Sequence, residues 1–91
     1  MKLTGKNKIK TAVFISGTGS NLKNLIKFSK YYKSPIQIKC VISDNKYAKG
    51  LDYAKKFKIE KKVFKFDKEN KNEKKILDFL EKNQIFLICL A

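Results

Sequence analysis

Ile85 to Ala91, IFLICLA, is apolar at every position. A strand with one wet face alternates apolar and polar side chains, so an unbroken apolar run marks a strand covered on both faces, as in a parallel sheet flanked by helices. Three further blocks read as strands: Ile9 to Ser16, Ile36 to Ser43 and Lys62 to Phe66. Stretches with helical spacing lie between them. After Ser20, the residues Leu22, Leu25, Ile26, Phe28 and Tyr32 are expected to face inward, and Pro35 marks the exit. From about Ala48 to Lys58 the inward set is Leu51, Ala54 and Phe57; from about Asn70 to Lys82 it is Ile76, Leu77 and Leu80.

Strands that alternate with helices imply βαβ crossovers and a parallel sheet, because parallel neighbours need a long connection. The all-apolar fourth strand belongs centrally, beside the first. The expected fold is therefore α/β, a doubly wound Rossmann-like parallel sheet of order 3-2-1-4. Ligands bind such sheets at the switch point, outside the carboxyl ends of the strands. A chain of 91 residues makes one domain at most and falls short of the size at which a core is comfortably stable. The chain stops within the fourth strand, which would leave a face and an edge of an apolar strand bare. Residues 1–91 are thus expected to be the first part of a larger domain, truncated within that strand.

Charge narrows the partners. The 22 basic residues are all Lys, against 8 acids, for a net charge of +14, and there is no Arg, His or Trp. Such a balance favours anionic partners. Base reading and tight phosphate clamping lean on the planar Arg fork, however, so nucleic acid is disfavoured and a solvated Lys surface is the simpler account. Cys40 and Cys89 sit inside apolar runs without a CxxC or Cys/His partner; they read as small buried hydrophobes in a reducing, cytoplasmic setting, and no metal site is expected. The basic N-terminus is followed by an apolar run too short for a signal peptide, and no stretch approaches a membrane span.

The segment that points to chemistry is Val13 to Leu22, VFISGTGSNL. It runs from a strand through two glycines into a helix opening at Ser20 and Asn21. Unpaired backbone N–H groups at a helix start, with the positive end of its dipole, form an anion site, and Gly17 and Gly19 let a ligand approach the backbone. A phosphate is the natural occupant, and the alternative is a tight turn with no ligand. The Walker pattern is ruled out, because no Lys follows Gly19-Ser20. A dinucleotide fingerprint is matched at Gly17 and Gly19 but has Leu22 at its third glycine position, where that side chain would hold the helix away from the strand and a Gly allows close packing. Asp44 ends the second strand where a ribose-binding acid could sit, although a turn residue in Ser43-Asp44-Asn45 is the plainer reading.

ISGTGSNL, following a short N-terminal strand, resembles the opening motif of the phosphoribosylglycinamide formyltransferases, ISG-x-GSNL. VISDNKYAKGLDYAKKFKI resembles that family's second strand, turn and GL-x-x-A helix, and IFLICLA resembles the strand leading into its Gly-aromatic-Met-Arg segment. The resemblance implies that Gly17, Thr18, Gly19, Ser20 and Asn21 form the substrate site, with the phosphate of glycinamide ribonucleotide on Gly19, Ser20 and Asn21. It implies 10-formyltetrahydrofolate as formyl donor, no metal and no membrane. The family's catalytic Asn, His and Asp would lie beyond Ala91, so the chain alone is expected to be inactive. Members often carry an Arg near the start of the third helix, where this chain has Lys68-Glu69-Asn70. A second reading, of another class, is a small nucleotide- or nucleic-acid-binding α/β module that uses its Lys-rich surface.

Overall fold

The computed structural model describes residues 8–15, 20–31, 33–65 and 71–91. Seven elements alternate along the chain: β1 (Ile9–Ile15), α1 (Ser20–Lys30), β2 (Ile36–Ser43), α2 (Gly50–Lys56), β3 (Glu60–Val63), α3 (Lys71–Lys82) and β4 (Leu87–Leu90). The four strands form one parallel sheet in the order β3-β2-β1-β4. This is the doubly wound order expected from the sequence. Its helices cover both faces.

On one face α1 and α2 pack Leu22, Ile26, Leu51 and Ala54 against Val13, Ile15, Ile38 and Val41. On the other, α3 packs Ile76 and Leu80 against Ala12, Cys40 and Ile42. β2 serves both faces by slipping its alternation once. Thr11 pairs with Ile38 but Ala12 with Cys40, so the exposed Lys39 is bulged out of the ladder. Because side chains alternate with period two, this extra residue puts Ile38 and Val41 on the α1/α2 face while Cys40 and Ile42 meet α3.

The GL-x-x-A pattern has a packing reason: Gly50, Leu51 and Ala54 are the buried residues of α2. α2 and α3 end alike. Lys58 and Gln84 each take φ 58, and the amides of Ile59 and Ile85 close back on Ala54 O at 2.8 Å and Leu80 O at 2.9 Å. These are Schellman ends with an apolar residue just beyond, built here without glycine. α1 is closed differently, by the Lys8 ammonium, which donates to the carbonyls of Ser29 and Tyr31, each at 2.9 Å. A cation at that end also complements the helix dipole.

Three expectations need correction. β3 is Glu60–Val63, earlier than the Lys62-to-Phe66 block, because the sharp exit at Lys58 delivers the chain to the sheet at once and Cys40 pairs with Glu60. Phe28 and Leu77 do not face inward; they are 50% and 57% exposed. β4 lies beside β1 as expected but is Leu87–Leu90, shorter than the Ile85-to-Ala91 block, and Leu87, Ile88 and Leu90 are exposed, in line with the bare face and edge expected of it. Tyr32 and Phe66 lie outside the described residues.

Candidate functional site

The carboxyl ends of β1 and β2 stand side by side, with Ile15 paired to Ser43. Ile15 is followed by residues 16–19, which carry the two glycines, and from Ser43 the chain enters the β2–α2 turn. Gly17, Thr18 and Gly19 lie outside the described residues, whereas Ser20 and Asn21 are the first two residues of α1 and both are exposed. Their backbone amides, with that of Leu22, belong to the first turn, where no helical carbonyl is available to them. The first turn holds no acidic residue. Leu22 and Ile26 are fully buried and anchor the helix to the sheet, so its start is held at the sheet's carboxyl edge by core packing. Backbone donors, positive dipole end and lack of acids suit an anion.

The neighbouring turn is built around Asn45. Its amide donates to Ser43 Oγ at 3.0 Å, its carbonyl accepts from the same hydroxyl at 3.0 Å, and its Oδ1 accepts from the Tyr47 amide at 2.9 Å. Ser43 is 2% exposed, so the hydroxyl satisfies its polar atoms locally. Asn45 and Ser43 thus do the turn's work, which leaves Asp44 exposed at the rim.

That rim borders a cleft of ≈ 280 Å³ on the α3 side of the sheet edge, lined by Phe14, Ile42, Phe64, Ile76, Leu90 and Asp44 among others. Its walls are largely apolar, and among the described residues Asp44 contributes the acidic side chain. The sequence reading did not anticipate it. Phe14 lies in β1 and Phe64 just past the end of β3, with three elements between those strands along the chain, and the β3-β2-β1 order brings them to one edge.

Cys40 lies beneath this cleft, fully buried. Burial pushes its thiol up from 9.0 to about 12, with the Glu60 carboxylate adding to the rise and the Lys62 ammonium opposing it. A thiol held so far into the protonated form is no nucleophile. Cys89 is half-buried on the opposite face, against the α1/α2 core. Among the described residues no three His, Cys, Asp or Glu side chains group as metal ligands, and no helix is long and apolar enough to cross a membrane. Lys68, Glu69 and Asn70 lie outside the described residues.

The family described as formyl transferase matches residues 9–91. Over 85 residues the chain is 38% identical to the phosphoribosylglycinamide formyltransferase of Haemophilus influenzae, covering 90% of this chain and 40% of that protein. It is 39% identical over 89 residues to the human trifunctional purine biosynthetic protein adenosine-3, covering 94% of this chain and 9% of that one. The crystal structure of the Brucella melitensis phosphoribosylglycinamide formyltransferase superposes with a TM-score of 0.86 at 36% identity, over 92% of this chain and 45% of the other. The chain therefore spans less than half the length of these relatives. Sheet order, the α1 start and a match running from β1 to Ala91 agree: the chain belongs to the formyl transferase family and corresponds to the N-terminal part of the phosphoribosylglycinamide formyltransferases.

Proposed function

We propose that residues 1–91 form the phosphate-binding part of a phosphoribosylglycinamide formyltransferase domain, which moves a formyl group from 10-formyltetrahydrofolate to glycinamide ribonucleotide in purine biosynthesis in the cytoplasm. The observation that carries this reading is the acid-free start of α1, set at the carboxyl edge of β1 in a chain matched to the family throughout. In this reading the phosphate is held by Gly19, Ser20 and Asn21, mostly through backbone amides, and Gly17 and Thr18 shape the turn.

In the reaction the glycinamide amine attacks the formyl carbon, a new N–C bond forms, and the C–N bond to the folate breaks. The tetrahedral oxyanion needs a hydrogen-bond donor and the leaving nitrogen needs a proton. The chain has no His to move that proton near neutral pH. Its part is to bind and orient the ribonucleotide, and alone it turns over no substrate.

Calorimetric titration of the chain with glycinamide ribonucleotide, and with the riboside lacking the phosphate, tests the assignment. Binding is expected to depend on the phosphate and to be lost in Gly19→Val, whose side chain blocks approach to the backbone. Ser20→Ala is expected to cost about 1 kcal/mol, roughly fivefold in Kd. A riboside that binds as well as the ribonucleotide places the phosphate elsewhere.

A further inference from the structure

Asp44 follows the last residue of β2, yet the hydrogen bonds of the β2–α2 turn are made by Ser43 and Asn45. Among the described residues no hydrogen bond or ion pair engages its carboxylate. It stands exposed at the rim of the ≈ 280 Å³ cleft, which buried Ile42 and Ile76 line together with half-buried Phe14 and Phe64. The Phe64 amide donates to Ser43 O at 2.9 Å, and this bond ties the aromatic residue to the neighbour of Asp44. The Phe64 ring also meets Phe79, with centroids 6.3 Å apart, so it is braced from the α3 side.

The cleft lies at the lower end of small-molecule sites, about 300–1,000 Å³, and suits one bicyclic ring system rather than a whole dinucleotide. Apolar walls that include two aromatic rings favour a flat ring. An unpaired carboxylate at the mouth accepts hydrogen bonds from hydroxyls and repels anions. A neutral molecule that joins a flat ring to vicinal hydroxyls meets both conditions. The place agrees, since a doubly wound sheet sets an acid at the carboxyl end of its second strand to accept from a ribose.

We propose that this cleft binds a purine nucleoside, with the base against Phe14 and Phe64 and the ribose hydroxyls donating to the Asp44 carboxylate. The site is built from β1, β2, the end of β3 and α3. It stands apart from the phosphate assignment, because a nucleoside carries no phosphate.

Calorimetric titration of the 91-residue chain with adenosine, 2′,3′-dideoxyadenosine and adenine tests it. Adenosine is expected to bind with a Kd below about 1 mM, and the two probes without the hydroxyls at least about tenfold more weakly, the effect of losing hydrogen bonds to a charged acceptor. In Asp44→Ala the preference for adenosine over the dideoxynucleoside is expected to fall below about twofold. A carboxylate with a merely structural role would leave that preference in place. Phe64→Ala is expected to weaken adenosine and its dideoxy form alike, at least about fivefold, by removing a stacking face. Asp44 is exposed, so its replacement leaves the described core intact and the hydroxyl test holds even where Phe64→Ala loosens the α3 side. No binding at about 1 mM adenosine, adenine bound as tightly as adenosine, or a hydroxyl preference that survives in Asp44→Ala each overturns the proposal. A chain that binds adenosine in this way but does not distinguish glycinamide ribonucleotide from its riboside upholds the nucleoside site and counts against the phosphate reading instead.

Discussion

Cys40 offers a direct test of the α3 side of the core, because the chain has two thiols and the fold separates their fates. Cys40 is 0% exposed among Ala12, Ile42, Ile76 and Leu80, whereas Cys89 is half-buried on the uncovered strand. Raising a thiol from 9.0 to about 12 lowers its thiolate fraction near pH 8 by about a thousandfold. Steric burial adds to this, since a reagent reaches Cys40 only when α3 lifts away. With an aromatic disulfide reagent, one thiol per chain is expected to react fast and the other at least about a thousandfold slower, both rates converging in denaturant. The same shift gives stability a pH dependence. The folded thiol holds its proton more tightly than the unfolded one, so its contribution is complete below pH 9.0 and is lost as pH rises towards 12. The loss is on the order of 1.4 kcal/mol per pH unit in that window, and Cys40→Ala should remove it. Two thiols reacting within a few-fold of each other in native buffer would refute the packing of α3 on Cys40.

Further outcomes follow from other packed positions. Ile26→Ala removes a fully buried side chain from the α1/α2 core, and denaturant titration should show a loss of about 2–5 kcal/mol. Lys58→Gly relieves a non-glycine residue at φ 58 and should raise stability by about 0.5–1 kcal/mol, while Lys55→Gly inside α2 should lower it by a similar amount. DNA binding through the Lys surface should be sequence-independent, no tighter than about 1 µM at physiological salt, and lost steeply with added salt; sub-micromolar, sequence-dependent binding would promote the nucleic-acid reading.

The sequence carried the sheet order because two long-range facts were written locally: helical spacing between strands demands parallel pairing, and IFLICLA demands a place beside β1. What it hid was angular and conformational. On α1, residues advance about 100° each, so Leu22, Ile26 and Ser29 share the inward line while Phe28 falls to its flank. The half-buried Ser29 donates its hydroxyl to Ile26 O at 2.8 Å, so a polar residue holds a place the apolar pattern had given to Phe28. On α3, Phe79 rather than Leu77 flanks Ile76 and Leu80, and it meets Phe64 with ring centroids 6.3 Å apart. The helix ends at Lys58 and Gln84 were illegible because the usual signal, glycine, is absent. The candidate site divides likewise. Ser20, Asn21 and Asp44 were visible by their place after strands, but the cleft joining Phe14 to Phe64 exists only once β2 stands between their strands.

β4 shows how residue choice reflects a finished environment. Ala12 and Val13 on β1, like Cys40 and Val41 on β2, are fully buried because α1, α2 and α3 all bear on those two strands. β4 has the same apolar character and little of that cover, only Cys89 packing against the α1/α2 core, although its ladder to β1 is in place and Ala91 N still donates to Phe14 O at 2.9 Å. Backbone pairing to β1 therefore positions the strand without accounting for its side chains. Hydrogen bonding alone would tolerate polar residues at Ile88 or Leu90; an apolar layer on the α3 face is what favours apolar ones there. Val63 is likewise exposed, on a strand whose other three residues are charged. Lysine substitution at Val63 should for that reason change stability by no more than about 0.5 kcal/mol in denaturant titration, as expected of a surface position.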